Sequence, residues 1–142
     1  MKWVVILLKT RSEAREQAIK VLYQVEIYKE ALLPYDVDQL IKEECDIQDD
    51  FVIELVKGVI DKNDNLVTCI NHYLKDWTLD RLNKVDQAIF LLGAYELKYT
   101  KTPSIVAINE AIELSKKYSD EKVTDMLNGV LDNIYHSEVE NE

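Results

Sequence analysis

The side chains best placed to do chemistry are cations near the start: Lys9, Arg11 and Arg15, with Lys2, Lys20 and Lys29 around them. Residues 1–29 hold six Lys or Arg against three Glu, a local charge of +3. The rest of the 142-residue chain holds 11 positive and 24 negative groups, or −13, which leaves −10 overall. Flexible cations are what phosphate oxygens require, and they supply affinity without reading sequence. A chain polarised in this way can orient itself on an anion. The competing reading is a solvated helix face on an acidic surface that aids solubility.

Catalytic arrangements are scarce. No Ser stands with a paired His. Glu43-Glu44 and Asp49-Asp50 are adjacent pairs, which diverge on a helix and cannot converge on one atom. There is no Gly-rich phosphate loop and no HExxH. His72 and His136 are isolated, and Cys45 and Cys69 stand far apart, as reduced thiols of a cytosolic protein do. The expectation is a cytoplasmic binding protein with no catalytic residues, no metal and no cofactor.

The elements that must position the cations read as helices. Three Gly and two Pro leave few hairpin turns. Thr10-Arg11-Ser12-Glu13 fits a capping box, and the helix it opens runs to about Lys29. Ala14, Ala18, Val21, Leu22 and Val25 form its inner stripe, with Arg11 and Arg15 toward solvent. Further helices are expected over 36–45, from Asp49 or Asp50 to about Ile60, and from Leu66 to about Lys75, with Asn63 to Asn65 as a turn. Trp77-Thr78-Leu79 connects to helices over 84–99, 103–118 and 121–135. Ile105, Ile108, Ile112 and Ser115 share one face of the penultimate helix. Asn109 and Asn128 interrupt apolar faces and are expected to bond across the core. Gly93 inside a helix predicts close helix packing. The fold class is all-α, about seven helices in two three-helix-like subdomains over 11–75 and 80–135.

Trp3 to Leu8 form an apolar run of six residues. A membrane span needs about 20 such residues, and a signal peptide ends in a small-residue cleavage site that this run lacks. Residues 1–9 are therefore expected to be an N-terminal apolar extension that docks on the body or on a second copy. Residues 136–142 are expected to be a frayed acidic tail.

Four ordered blocks carry a resemblance: AREQAIKVLYQ at 14–24, VDQAIFLLGAYEL at 85–97, VAINEAIEL at 106–114 and LNGVLDNI at 127–134. Together they resemble the NusB family of transcription antitermination factors over roughly residues 10–135, as a single helical domain. The resemblance implies the same all-helical fold, and binding of boxA-type RNA together with NusE, a small-subunit ribosomal protein, in an RNA polymerase complex. Some family members also form homodimers. The family's arginine-rich start maps onto Arg11 and Arg15, beside Lys9. Tyr23 and Tyr73 match family tyrosines, either on the RNA-facing surface or at a half-buried core edge. Family proteins commonly have Lys-Phe where this chain has Asp125-Met126, so Met126 stands in the stacking position and Lys122 supplies a compensating cation. Ser12 and Glu13 likewise interrupt the arginine run, and weak, salt-dependent RNA binding is expected. The resemblance places partner-facing carboxylates at Asp86 and Glu96. Two alternatives remain: a protein-binding helical adaptor that has lost RNA contact, and the NusB-like domain found fused to ribosomal RNA methyltransferases.

Overall fold

The structure, a computed structural model, describes residues 10–140. The apolar extension expected over 1–9, with Lys9, lies outside the described residues. Seven α-helices form the described chain, in the order α1 (Arg11–Glu30), α2 (Val37–Glu44), α3 (Asp50–Asp61), α4 (Asn63–Tyr73), α5 (Lys84–Tyr99), α6 (Ser104–Tyr118) and α7 (Glu121–Ile134). A 3-10 turn at Leu79–Arg81 precedes α5, and a π-helical turn at Tyr135–Val139 follows α7.

Side-chain caps set most of the starts. Thr10 accepts from the Glu13 N–H at 3.1 Å, as the capping box predicts. Asp36, Asp49, Asn83 and Asp120 cap α2, α3, α5 and α7 in the same way. At its other end α1 closes without glycine. Leu32 takes a left-handed conformation at φ 58°, and the Leu33 N–H reaches the Tyr28 carbonyl at 3.0 Å.

α5 is the central helix. It packs against α1, α3 and α4 on one side of the sequence and against α6 and α7 on the other. Every residue from Ala88 to Leu97 is buried, so this helix is apolar nearly all round, as a core helix must be. Gly93 does permit close packing: a Cβ there would meet Ala111 Cβ at 3.1 Å and Leu131 Cδ1 at 3.2 Å. Gly58 on α3 has a parallel role that its sequence context does not reveal, since a Cβ would overlap the Tyr95 ring.

Several expectations need correction. Asn63 to Asn65 form the first turn of α4 and no break. Asn109 and Asn128 are exposed and bond nothing across the core. Ile105 is 70% exposed. The inner face of α6 is Ala107, Ala111, Leu114 and Ser115, whose small members let it lie close to α5. The tail is not frayed at its start: within the π-helical turn, Glu138 bonds Lys98 at 3.1 Å and accepts from the Cys69 thiol at 3.3 Å.

Candidate nucleic-acid interface

Arg15 does not face solvent. It is 3% exposed and clasps Glu96, itself 2% exposed, through Nε to Oε1 at 2.5 Å and Nη2 to Oε2 at 2.9 Å. Glu110 adds a contact to Nη1 at 3.3 Å and accepts from Ser12 at 2.5 Å. The two carboxylates hold Arg15 because an unpaired guanidinium could not stay desolvated. This corrects two expectations at once. Arg15 is an internal tie between α1 and α5, not a solvent-facing cation, and Glu96 is its counter-ion, not an exposed partner-facing carboxylate. Arg11, one turn earlier, is exposed, with its guanidinium 4.3 Å from the Phe51 ring centroid.

Three other predicted residues come together. Tyr73, at the end of α4, and Met126, in the middle of α7, line one open groove of about 270 Å³ with Lys75 and Gly129. Lys122 lies one turn before Met126 on the same face of α7, and its ammonium reaches to 6.0 Å from the Trp77 ring. Arg81 stacks on that ring at 4.4 Å. The chain turns into this corner at Asp76, whose φ of 59° is a left-handed conformation that Asp tolerates better than most side chains. Nothing lies within 4 Å of a Cβ placed at Gly129, so the helix surface there is bare backbone open to a ligand.

Such a corner can hold a splayed base and the phosphates beside it. Tyr73 and Trp77 offer aromatic surface, Met126 a polarisable thioether, and Lys75, Arg81 and Lys122 the cations. Asp125 also lines the groove, and Glu138 and Asp76 stand beside it, so anions oppose the cations there. Trp77, Lys75 and Arg81 are the residues that sequence reasoning missed. Their signal was a Trp followed four residues later by an Arg, in a connection with no helical period to frame it. Tyr23 is 40% exposed on α1, with the exposed Ile27 one turn further along.

Asp86 sits in the first turn of α5 and is 3% exposed, so it is more deeply set than an interface carboxylate was expected to be. Its Oδ1 finds no hydrogen-bond partner among the described residues. Burial pushes the carboxyl above the usual carboxylate range; Ser119 acts against this shift and the charge of Asp120 adds to it. The Trp77 indole N–H is likewise buried without a partner. Among the described residues no group of three His, Cys, Asp or Glu side chains could hold a metal ion, and no helix is long and apolar enough to cross a membrane.

The fold has counterparts among solved structures. A solved structure of T. maritima NusB matches with a TM-score of 0.80 at 28% identity, covering 92% of this chain and 94% of that one. A crystal structure of the antitermination factors NusB and NusE in complex with dsRNA matches with a TM-score of 0.76 at 27% identity, over 89% of this chain and 96% of that one. The transcription antitermination protein NusB of Macrococcus caseolyticus is 43% identical over 125 residues, 88% of this chain and 95% of its own length. The Listeria innocua protein of the same name is 44% identical over 126 residues, 87% of this chain and 94% of its own. The NusB family profile matches residues 12–136, from the first turn of α1 into the π-helical turn, and with these relatives it shows that the chain belongs to the NusB family.

Proposed function

We propose that this chain is a cytoplasmic transcription antitermination factor that binds boxA-type RNA together with a NusE-type ribosomal protein. In that role it helps assemble an antitermination complex on RNA polymerase. It acts by binding and not by catalysis. The observation that carries the RNA role is the corner where Tyr73, Trp77 and Met126 meet Lys75, Arg81 and Lys122 on a protein of net charge −10. Concentrating cations and aromatic surface on a small part of an acidic molecule directs RNA to it. Arg11 extends the cationic surface at the start of α1, and Tyr23 offers a further exposed ring. Arg15 contributes indirectly, by fixing the turn of α1 that carries Arg11. Asp86 is 3% exposed, so its proposed contact with a basic ribosomal protein needs a cation inserted at the start of α5, where the buried Oδ1 lacks a partner among the described residues; Glu96 has no such part, being spent on Arg15.

Fluorescence anisotropy with a labelled boxA-type RNA tests this. One base stacked on an aromatic side chain is worth about 1–3 kcal/mol, so Tyr73→Ala should weaken binding by about tenfold or more. Each phosphate contact to a single strand contributes about −0.7 to the slope of log affinity against log salt, and Lys122→Ala should remove about one such increment. Adding the NusE-type protein should tighten the complex. If both variants bind as the parent does, with no salt slope, the RNA role is wrong and the helical adaptor reading, favoured by Asp125 in the groove, replaces it.

A further inference from the structure

A second groove, of about 670 Å³, lies where the start of α1 meets α3, the end of α5 and the start of α6. Arg11, Phe51, Tyr99, Lys101, Pro103 and Val106 line it. Its chemistry repeats that of the Tyr73 corner with other residues. Arg11 sits over the Phe51 ring at 4.3 Å and is exposed, which leaves guanidinium N–H groups available as donors. Tyr99 is 38% exposed and draws two ammonium groups, Lys62 at 5.4 Å and Lys98 at 5.6 Å from its ring centroid. Lys101 is exposed in the loop between α5 and α6. α6 begins at the edge of the groove with no side-chain cap on its first amides, so that helix end presents donors and a positive dipole. Two carboxylates also line the groove. Glu110 is committed to Arg15 and Ser12, which leaves Glu54 as the one opposing charge.

Resting on the RNA role above, we propose that this groove is a separate subsite for single-stranded RNA that flanks the segment held at Tyr73 and Met126. Phosphates lie on Arg11, Lys101 and the open end of α6, and a base stacks on Tyr99 in place of the Lys62 ammonium, while Lys98 stays with Glu138. The ligand is a nucleotide strand and not an acidic peptide because exposed cations, Arg11 and Lys101, share the groove with the exposed ring of Tyr99, and a nucleotide offers both a phosphate and a flat base.

The test compares a boxA-type RNA with the same RNA extended by six uridines at its 5′ end, its 3′ end or both. Wild-type protein should gain about tenfold in affinity from at least one extension, the size expected of one stacked base with its phosphate contact. Tyr99→Ala and Lys101→Glu should each lose that gain while binding the unextended RNA as wild type does. Glu54→Gln should increase the gain. Lys101 is exposed in a loop, so its substitution leaves the fold intact even if Tyr99→Ala perturbs the end of α5. The inference is overturned if no extension helps the wild type, if both variants keep the gain, or if they weaken both RNAs equally. Failure of wild type to bind the unextended RNA is a different result: it removes the RNA role itself and this subsite with it.

Discussion

Replacing Glu96 by Ala should be among the most damaging single changes in this protein, although its partner lies 81 residues away in sequence. The substitution removes two hydrogen bonds, at 2.5 and 2.9 Å, from a guanidinium that is 3% exposed. Glu110 remains at 3.3 Å, but one contact at the edge cannot replace a bidentate clasp. Breaking one side of a buried ion pair typically costs about 3–5 kcal/mol, a large share of the roughly 5–15 kcal/mol that holds such a domain together. At about 3 °C per kcal/mol, the melting temperature should fall by about 10–15 °C. Urea unfolding followed by far-UV circular dichroism measures the change, with an unaltered slope showing that the folded state keeps its compactness. The double variant Arg15→Met with Glu96→Leu should recover to within about 1 kcal/mol of the parent, because apolar side chains of similar volume need no counter-charge. It should also keep most of its affinity for RNA, since neither residue reaches the surface. The reasoning fails if Glu96→Ala costs under about 1 kcal/mol, or if the double variant is no more stable than the single one.

Gly129→Ala should stabilise α7 by up to about 1 kcal/mol, as glycine inside a helix is worth that much less than alanine, and nothing lies within 4 Å to clash with the added methyl. The same methyl narrows the groove beneath Tyr73 and Met126, so RNA affinity should drop several-fold as thermal stability rises; a variant unchanged in both respects would contradict this. Asp86 holds its proton more readily in the folded than in the unfolded chain. Its contribution to stability is therefore fully present at acid pH and lost as pH rises through its folded value, by linkage. Asp86→Asn should flatten that decline, raise stability at neutral pH and weaken the NusE-type partner, read by thermal unfolding across pH and by titration calorimetry. Burial pushes the Cys69 thiol up to about 11, helped by its bond to Glu138. Its thiolate fraction near neutral pH is below roughly one in a thousand, and Ellman's reagent should modify it only after unfolding.

Much of the fold was legible because helix starts carry their own chemistry. Thr10 and Asp49 announce α1 and α3, and the apolar period between caps sets the inner faces. Gly93 was readable for the same reason, since an unexplained glycine in a helix asks for a neighbour. Arg15 was not readable. A cation within a helix is assigned to solvent by period alone, and only a carboxylate on another helix, 81 residues on, reverses that. Asn109 and Ile105 misled in the opposite direction: α6 approaches α5 through Ala107 and Ala111, and small residues give a weak signal of which face is inside.

The site was legible in part. Tyr73, Lys122 and Met126 come from two helices about fifty residues apart in sequence, and the resemblance that singled them out is consistent with the single corner they form. Trp77 and Arg81 escaped because their geometry depends on the left-handed turn at Asp76 and on a 3-10 turn, neither of which has a period to read.

The proposed meeting point of RNA and this protein is the corner of α4, the 3-10 turn and α7. Titrating isotope-labelled protein with a boxA-type RNA and following backbone amide shifts tests it most directly. The largest changes should fall on residues 73–81 and 122–129, with Arg11 next. Shifts confined to the acidic faces of α2 and α3, or none at RNA concentrations that saturate a relative from the same family, would contradict it.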